Sequence, residues 1–434
     1  MNSVRASIRK LPPSASIKIL KKVFSLPAPA ARLILNDVTR ARKSHRPWIH
    51  KVKLNPNQAQ DWSGCWIGEN IHDLNHEGLM KRVYEADIVL FYVHGGGFRI
   101  GSCTMYMDTN IAWIKVLKEK YGLKCMIMSV DYRLAPEHRY PSPVEDVVRA
   151  YEHLVQKLSV HSEKIIVIGD SAGAALALEM LFITHDPSMF EIEVDDNNSS
   201  STQPVLTELP RPAGTVLISP LVTDETTSES WRVNQKYDYI TNYTAKVIKR
   251  DYFEPTKKED EDDEDKVNQI LGIAKLQTGF SAFMSPQVLM YIGNLEVLRD
   301  DALQLALKAE QDGVAWQTVI EDNVHDWFCV REVVKDKTTL TRADMTFADF
   351  CYRAIGKPVA ERQQYIPTPR NSLSNGLAAV KEEDESDVDD ESSYLSDTTP
   401  SSSSLFDFRL SKLSLDEFEQ QKASSKRSSD IVFV

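Results

Sequence analysis

From about residue 62 to residue 365 the chain alternates short apolar runs with longer amphipathic ones. Six runs read as strands: Ile88–Val93, Lys124–Tyr132, Lys164–Ile168, Thr215–Ser219, Gln287–Ile292 and Trp316–Ile320. Most are apolar at successive positions, the pattern of strands covered on both faces. Between them Thr109–Lys120, Pro143–Leu158, Ala172–Thr184 and Ala302–Gln311 read as helices. This alternation predicts an α/β fold, with a mostly parallel central sheet and helices on both faces.

Outside that pattern the chain changes character. Residues 1–53 hold thirteen Lys or Arg and a single acid, Asp37. Within them Ile17, Leu20, Val23 and Phe24 recur at helical spacing beside Lys18, Lys21 and Lys22. Three readings stay open: a mitochondrial transit peptide, an amphipathic segment lying on an anionic membrane, or a solvated tail leading into a cap element. Residues 54–370 are expected to form one globular domain, with insertions near 186–213 and 254–268. The second insertion carries the acid run 259–265. Residues 371–434 are rich in Ser, Asp and Glu and are expected to be disordered. Their apolar positions, such as Leu405, Phe406 and Phe408, are either a short binding element for a protein partner or scattered residues.

The formal net charge of −12 is therefore an average over a basic start and two acid runs. It argues against a general nucleic-acid binder, which needs a basic face. Five widely spaced cysteines form no CxxC pair, so neither a zinc site nor a redox motif is expected. No stretch of 18 apolar residues occurs, so no spanning helix is expected. An intracellular location is expected, cytoplasmic or peripheral on a membrane, with mitochondrion and endoplasmic reticulum left open.

Chemistry enters at Lys164–Gly173, KIIVIGDSAG, which ends in a G-x-S-x-G. A buried strand leads in and an Ala- and Leu-rich helix leads out. That is the context of a nucleophile elbow, in which a strained turn exposes the hydroxyl of Ser171. The helix start brings the Ala172 N–H close to any developing oxyanion. Residues 88–98, IVLFYVHGGGF, end a second strand in His94, Gly95, Gly96 and Gly97. Glycines let backbone N–H groups approach a substrate closely, so two of these plus Ala172 would form an oxyanion hole. His94 is expected to orient this loop.

HGGG, then DYRLAPEHRYPSPVED at 131–146, then GDSAG resembles the hormone-sensitive-lipase-like group of α/β-hydrolases. The resemblance covers about residues 88–330. It implies an α/β-hydrolase fold with a helical cap, and an esterase or lipase using a Ser–acid–His triad with no metal or organic cofactor. Asp131, Arg133 and Glu137 would then be structural. In this fold the order along the chain is Ser, acid, His. After Ser171 only His185 and His325 remain. His185 ends the helix that starts at the elbow, about 20 Å away at 1.5 Å per residue. His325 is therefore the expected base. The family pattern Asp-Pro-Leu-Arg-Asp falls on Glu296-Val297-Leu298-Arg299-Asp300. This makes Glu296 the expected acid, a departure from Asp, with Asp300 as the alternative.

The expected activity is hydrolysis of a small or lipophilic ester through an acyl-enzyme. An amide hydrolase of the kynurenine-formamidase type and a non-catalytic ligand-binding receptor on the same fold are the alternatives. Trp231, Tyr237, Tyr239, Tyr243 and Tyr252 would suit a cap over an apolar substrate, or ordinary packing.

Overall fold

The computed structural model describes residues 11–52, 62–187, 208–253 and 272–356. The acid insertion at 254–268 and the tail at 371–434 lie outside the described residues. Of the segment 186–213 only the two ends are described.

Eight strands form one sheet: β1 (Ile49–Val52), β2 (Gly64–Ile67), β3 (Ile88–Val93), β4 (Cys125–Val130), β5 (Ile165–Asp170), β6 (Gly214–Ile218), β7 (Gln287–Gly293) and β8 (Ala315–Glu321). Their order is β1-β2-β4-β3-β5-β6-β7-β8. The pairs from β4 to β8 are parallel, and β2 joins β4 antiparallel. All six expected strands are present, with ends shifted by two residues at most. β3, β4, β5 and β6 are buried at every position, which explains their unbroken apolar runs. β1 and β2 form an antiparallel flank that the hydrophobic pattern did not reveal.

The helices are α1 (Pro13–Phe24), α2 (Ala28–Thr39), α3 (His76–Tyr84), α4 (Met107–Tyr121), α5 (Ser142–Glu152), α6 (Ala172–His185), α7 (Glu229–Asn234), α8 (Asn242–Ile248), α9 (Phe280–Phe283), α10 (Arg299–Gln311) and α11 (Lys337–Ile355). α6 buries twelve of its fourteen residues. One hydrophobic cluster gathers α5, α6 and α10 beneath one face of the sheet, and a second gathers α4 and α11 beneath the other. Trp113 of α4 stacks on Phe347 of α11 with ring centroids 4.9 Å apart.

The basic start is built into this body from residue 11 onward. In α1 the apolar face that suggested a membrane-surface helix turns inward. Val23 is buried, and Ile17, Leu20 and Phe24 pack on the second cluster. Lys21 donates to the Gln235 carbonyl at 3.0 Å. Val23, Ala31, Leu35 and Ile49 of this segment are buried, so it is packed as part of the folded body. Among the described residues no helix is long and apolar enough to cross a membrane.

The chain leaves β3 on one side to form β4 and returns to the other side for β5. In an open α/β sheet such a switch point opens a crevice at the carboxyl ends of the strands. The segments that follow β3, β5, β6, β7 and β8 carry His94–Gly97, Ser171, Ser219, Glu296 and His325.

Candidate active site

Ser171 sits between β5 and α6 with φ +50° and ψ −118°. Such a conformation is rare for a non-glycine residue and is held by the strand–helix turn around it. The turn also needs Gly173: a Cβ there would lie 2.2 Å from the Val93 carbonyl oxygen of β3. This close approach joins the elbow to the glycine loop. In that loop Gly96 has φ +109°, and a Cβ would meet the Ile100 carbonyl oxygen at 2.2 Å. His94 is buried, shares a hydrogen bond with the Gly95 carbonyl at 2.8 Å, and stacks on Tyr132 at 4.4 Å. Burial lowers its pKa. It faces the loop it was expected to orient.

His325 follows β8. Its Nε2 stands 2.9 Å from Ser171 Oγ. On the other side of the ring, Nδ1 faces Glu296 Oε2 at 3.5 Å. Ser171, His325 and Glu296 are all buried, Glu296 completely. Burial lowers the pKa of His325. Burial also pushes Glu296 up to about 8, although a Ser219 hydrogen bond and Arg299 oppose the rise.

Asp300 points elsewhere. It lies in the first turn of α10, where Oδ2 accepts the Ser230 N–H at 2.7 Å and Oδ1 accepts from Arg299 at 2.8 Å. A carboxylate at a helix N-terminus is stabilised by the dipole.

Several residues at the site carry no sequence motif. Ser219 follows β6 with φ +45°. Its hydroxyl donates to Glu296 Oε2 at 2.6 Å and accepts the Asp326 N–H at 3.0 Å, so one side chain joins the acid loop to the histidine loop. Asp238 Oδ2 accepts the Val297 N–H at 2.8 Å and fixes the acid loop from the cap side. Asn234 donates to the Glu296 carbonyl at 2.8 Å. Asp326 itself is buried at φ +54°, with Oδ2 3.3 Å from His325 Nε2. Burial, then Asp170, Glu296 and Asp238, push its pKa well up. Asp170 accepts from the Tyr92 hydroxyl at 2.5 Å. Burial raises Asp170 to about 6, while Tyr92 and the Gly95 N–H act against the rise.

The DYRLAPE residues are structural. Asp131 Oδ1 accepts the Cys103 N–H at 2.5 Å, and Arg133 pairs with Glu145 and Asp146. Glu137 pairs with Arg32 of α2 at 2.7 Å. The cap meets the glycine loop through a buried Arg99–Asp251 pair at 2.6 Å and through Phe98 stacked on Tyr252. Of the five cap aromatics, Trp231, Tyr239 and Tyr252 are buried, whereas Tyr237 and Tyr243 are exposed.

Two cavities adjoin the site. The smaller, about 30 Å³, is lined by Ser171, His325, Gly97, Trp231 and Ile248. The larger, about 150 Å³, is lined largely by apolar side chains and includes Gly96 and Tyr239 in its lining. Phe24 of α1 borders both.

Comparison with known proteins agrees with this fold. A family profile described as the alpha/beta hydrolase fold matches residues 90–329. An esterase of Acinetobacter venetianus is 28% identical over 242 residues, covering 54% of this chain and 65% of the relative. Lipase 2 of a Moraxella species is 25% identical over 306 residues, covering 68% of this chain and 65% of the relative. The chain thus spans slightly under two thirds of the length of these relatives. Among solved structures, a hormone-sensitive lipase from a metagenome library aligns with a TM-score of 0.57 at 21% identity, covering 80% of this chain and 98% of its own. An esterase from the bacterial hormone-sensitive lipase family aligns with a TM-score of 0.57 at 22% identity, covering 79% and 98%. The structural likeness shows the fold.

Proposed function

The chain belongs to the family with the α/β-hydrolase fold, and we propose that it is a serine carboxylic-ester hydrolase acting on a small or lipophilic ester. The observation that carries this reading is the Ser171 Oγ–His325 Nε2 contact of 2.9 Å at a strained elbow. A serine hydroxyl is a weak nucleophile until a base within hydrogen-bond reach takes its proton.

In this mechanism His325 Nε2 removes the Ser171 proton as Oγ attacks the ester carbonyl. Negative charge develops on the carbonyl oxygen, and the N–H groups of Gly96, Gly97 and Ala172 receive it. The Gly95 N–H is the weaker candidate because it faces the Asp170 carboxyl. The imidazolium then protonates the leaving alcohol, and water repeats the cycle on the acyl-enzyme. Glu296 holds the Nδ1 proton and stabilises the imidazolium. Its carboxylate reaches one bond further than an aspartate would, and Ser219 fixes that longer arm at Oε2. Asp300, hydrogen-bonded to Ser230, is left to the cap and helix start.

The base at bonding distance from the serine speaks for turnover rather than for a binding receptor. A fluorophosphonate probe is expected to label Ser171, and Ser171→Ala to abolish labelling. Acyl esters of rising chain length, with N-formylkynurenine in parallel and Ser171→Ala as blank, separate ester from amide hydrolysis. Binding of these compounds without Ser171-dependent product formation would overturn the proposal.

A further inference from the structure

The α1–α2 pair leaves apolar surface in water. On α2, Ala30, Leu33 and Ile34 are exposed at i, i+3 and i+4, one face of the helix. Leu33 is 76% exposed and Ile34 40%. On α1, Ile19 is exposed between Lys18 and Lys22, which are also exposed. These residues are distinct from the inward face of α1. A solvated cap has no use for such a stripe, and contiguous exposed aliphatic side chains mark a docking surface.

Two features on the page state what docks. The first is charge. Arg40 and Lys43, which follow α2, are exposed along with Lys18 and Lys22, and Asp37 is the only acid in residues 1–53. Aliphatic side chains flanked along the chain by an excess of cations over the single Asp37 suit the interface of an anionic bilayer, where acyl chains take the former and headgroups the latter. The second is continuity. The exposed Ile19 and Ile34 line the 150 Å³ cavity, and Gly96 and Tyr239 line it too. The Tyr239 ring meets His325 edge-on at 5.5 Å. The exposed stripe therefore borders an apolar cavity that also touches Gly96 of the oxyanion loop and, through Tyr239, neighbours the base.

We propose that α1 and α2 seat on an anionic phospholipid surface through Ala30, Leu33, Ile34 and Ile19, and that the cavity behind them is the port by which a lipophilic ester leaves that surface for Ser171. The seat stands independently of any chemistry; the port rests on the ester-hydrolase reading.

The test separates the two. Full-length Ser171→Ala protein, which cannot turn over, is floated with phosphatidylcholine vesicles with and without 30% phosphatidylserine. Binding at least tenfold stronger with phosphatidylserine is expected. The double variant Ala30→Asp/Leu33→Asp changes exposed residues outside the cavity lining. It is expected to lose at least tenfold in vesicle binding while kcat/KM for a dissolved acetyl ester stays within twofold. Unchanged vesicle binding by this variant, or no anionic preference in the parent, overturns the seat. So does a parent that is dimeric, with the double variant monomeric and neither bound to vesicles, because a second copy then covers the stripe. For the port, Ile34→Trp is expected to lower kcat/KM for a long-chain ester at least tenfold more than for an acetyl ester. Equal losses on both esters overturn it. Vesicle binding with no Ser171-dependent hydrolysis of any ester would leave the seat standing and overturn the hydrolase reading instead.

Discussion

Ser219→Ala tests the most specific part of the proposed mechanism. Glu296 is completely buried and pushed up to about 8, so most of it is protonated at neutral pH. The proposed triad needs it ionised. Activity should therefore rise with pH through about 8, and this acid limb belongs to Glu296, since burial moves His325 below its ordinary value. The Ser219 hydroxyl donates to Oε2 at 2.6 Å and favours the ionised form. A hydrogen bond to a charged group contributes about 1.5–3 kcal/mol. At 1.36 kcal/mol per pKa unit, its loss raises Glu296 by about 1–2 units. In Ser219→Ala, kcat/KM at pH 7 should fall about 10–100-fold and recover toward the parent value at high pH. Removing the hydroxyl also leaves the buried Asp326 N–H without an acceptor, at about 1–3 kcal/mol of stability. A thermal melt and fluorophosphonate titration of active sites keep that effect separate. The assay is the pH profile of kcat/KM on a short acyl ester. An acid limb that does not move, or a loss equal at every pH, would refute the role assigned to Ser219.

Two further substitutions probe neighbouring carboxyls. Glu296→Gln should lower kcat by about 10³–10⁴-fold, as loss of the orienting acid does in serine triads, whereas Asp300→Asn should leave kcat within about threefold and lower the Tm by about 2–4 °C for the lost helix-start interaction; steady-state kinetics and a melt decide, and the reverse ranking would transfer the acid role to Asp300. Burial, then Asp170, Glu296 and Asp238, push the Asp326 carboxyl well up and so favour its neutral form, so Asp326→Asn should keep kcat/KM within about fivefold at pH 7, with any difference from the parent growing as pH rises. A large gain at pH 7 would mean that an ionised Asp326 holds the His325 proton on Nε2.

The parallel body of the fold was legible because its strands are covered on both faces, which writes them as unbroken apolar runs such as Ile88–Val93 and Ile165–Ile168. β1 and β2 escaped notice because each has only four residues and each stops before a pattern can form. Ser171 and the glycine loop were legible for a related reason. A strained elbow and a close backbone approach restrict residue type locally, and a local restriction leaves a motif. Glu296 was reached through the family pattern and the residue count after β7. Ser219, Asp238 and Asp326 leave no such mark. Each is tied to a residue tens of positions away: Ser219 to Glu296, Asp238 to Val297, and the Asp326 N–H to Ser219. A lone serine after a strand reads as a turn residue until the fold brings the acid to it.

The charge asymmetry left three readings open for a physical reason. Helical spacing of Ile17, Leu20, Val23 and Phe24 beside lysines fits a membrane surface and a protein surface equally well, because both offer an apolar phase to one face of a helix. The inner side of the helix is settled by its partners. Lys21 donates to the carbonyls of Gln235 and Asp238, at 3.0 and 3.4 Å, and Phe24 packs on Tyr239 at 5.5 Å. The Asp238 carboxylate in turn holds Val297, the residue after Glu296. α1 is thus two hydrogen bonds from the acid loop and also lines the larger cavity. Any displacement of α1 that opens the cavity must strain or break the Lys21 bonds, so the wall of the cavity and the placement of Glu296 are mechanically linked. Residues 11–52 are therefore a structural part of the site, and the face that α2 leaves to water is the one proposed to meet an anionic surface.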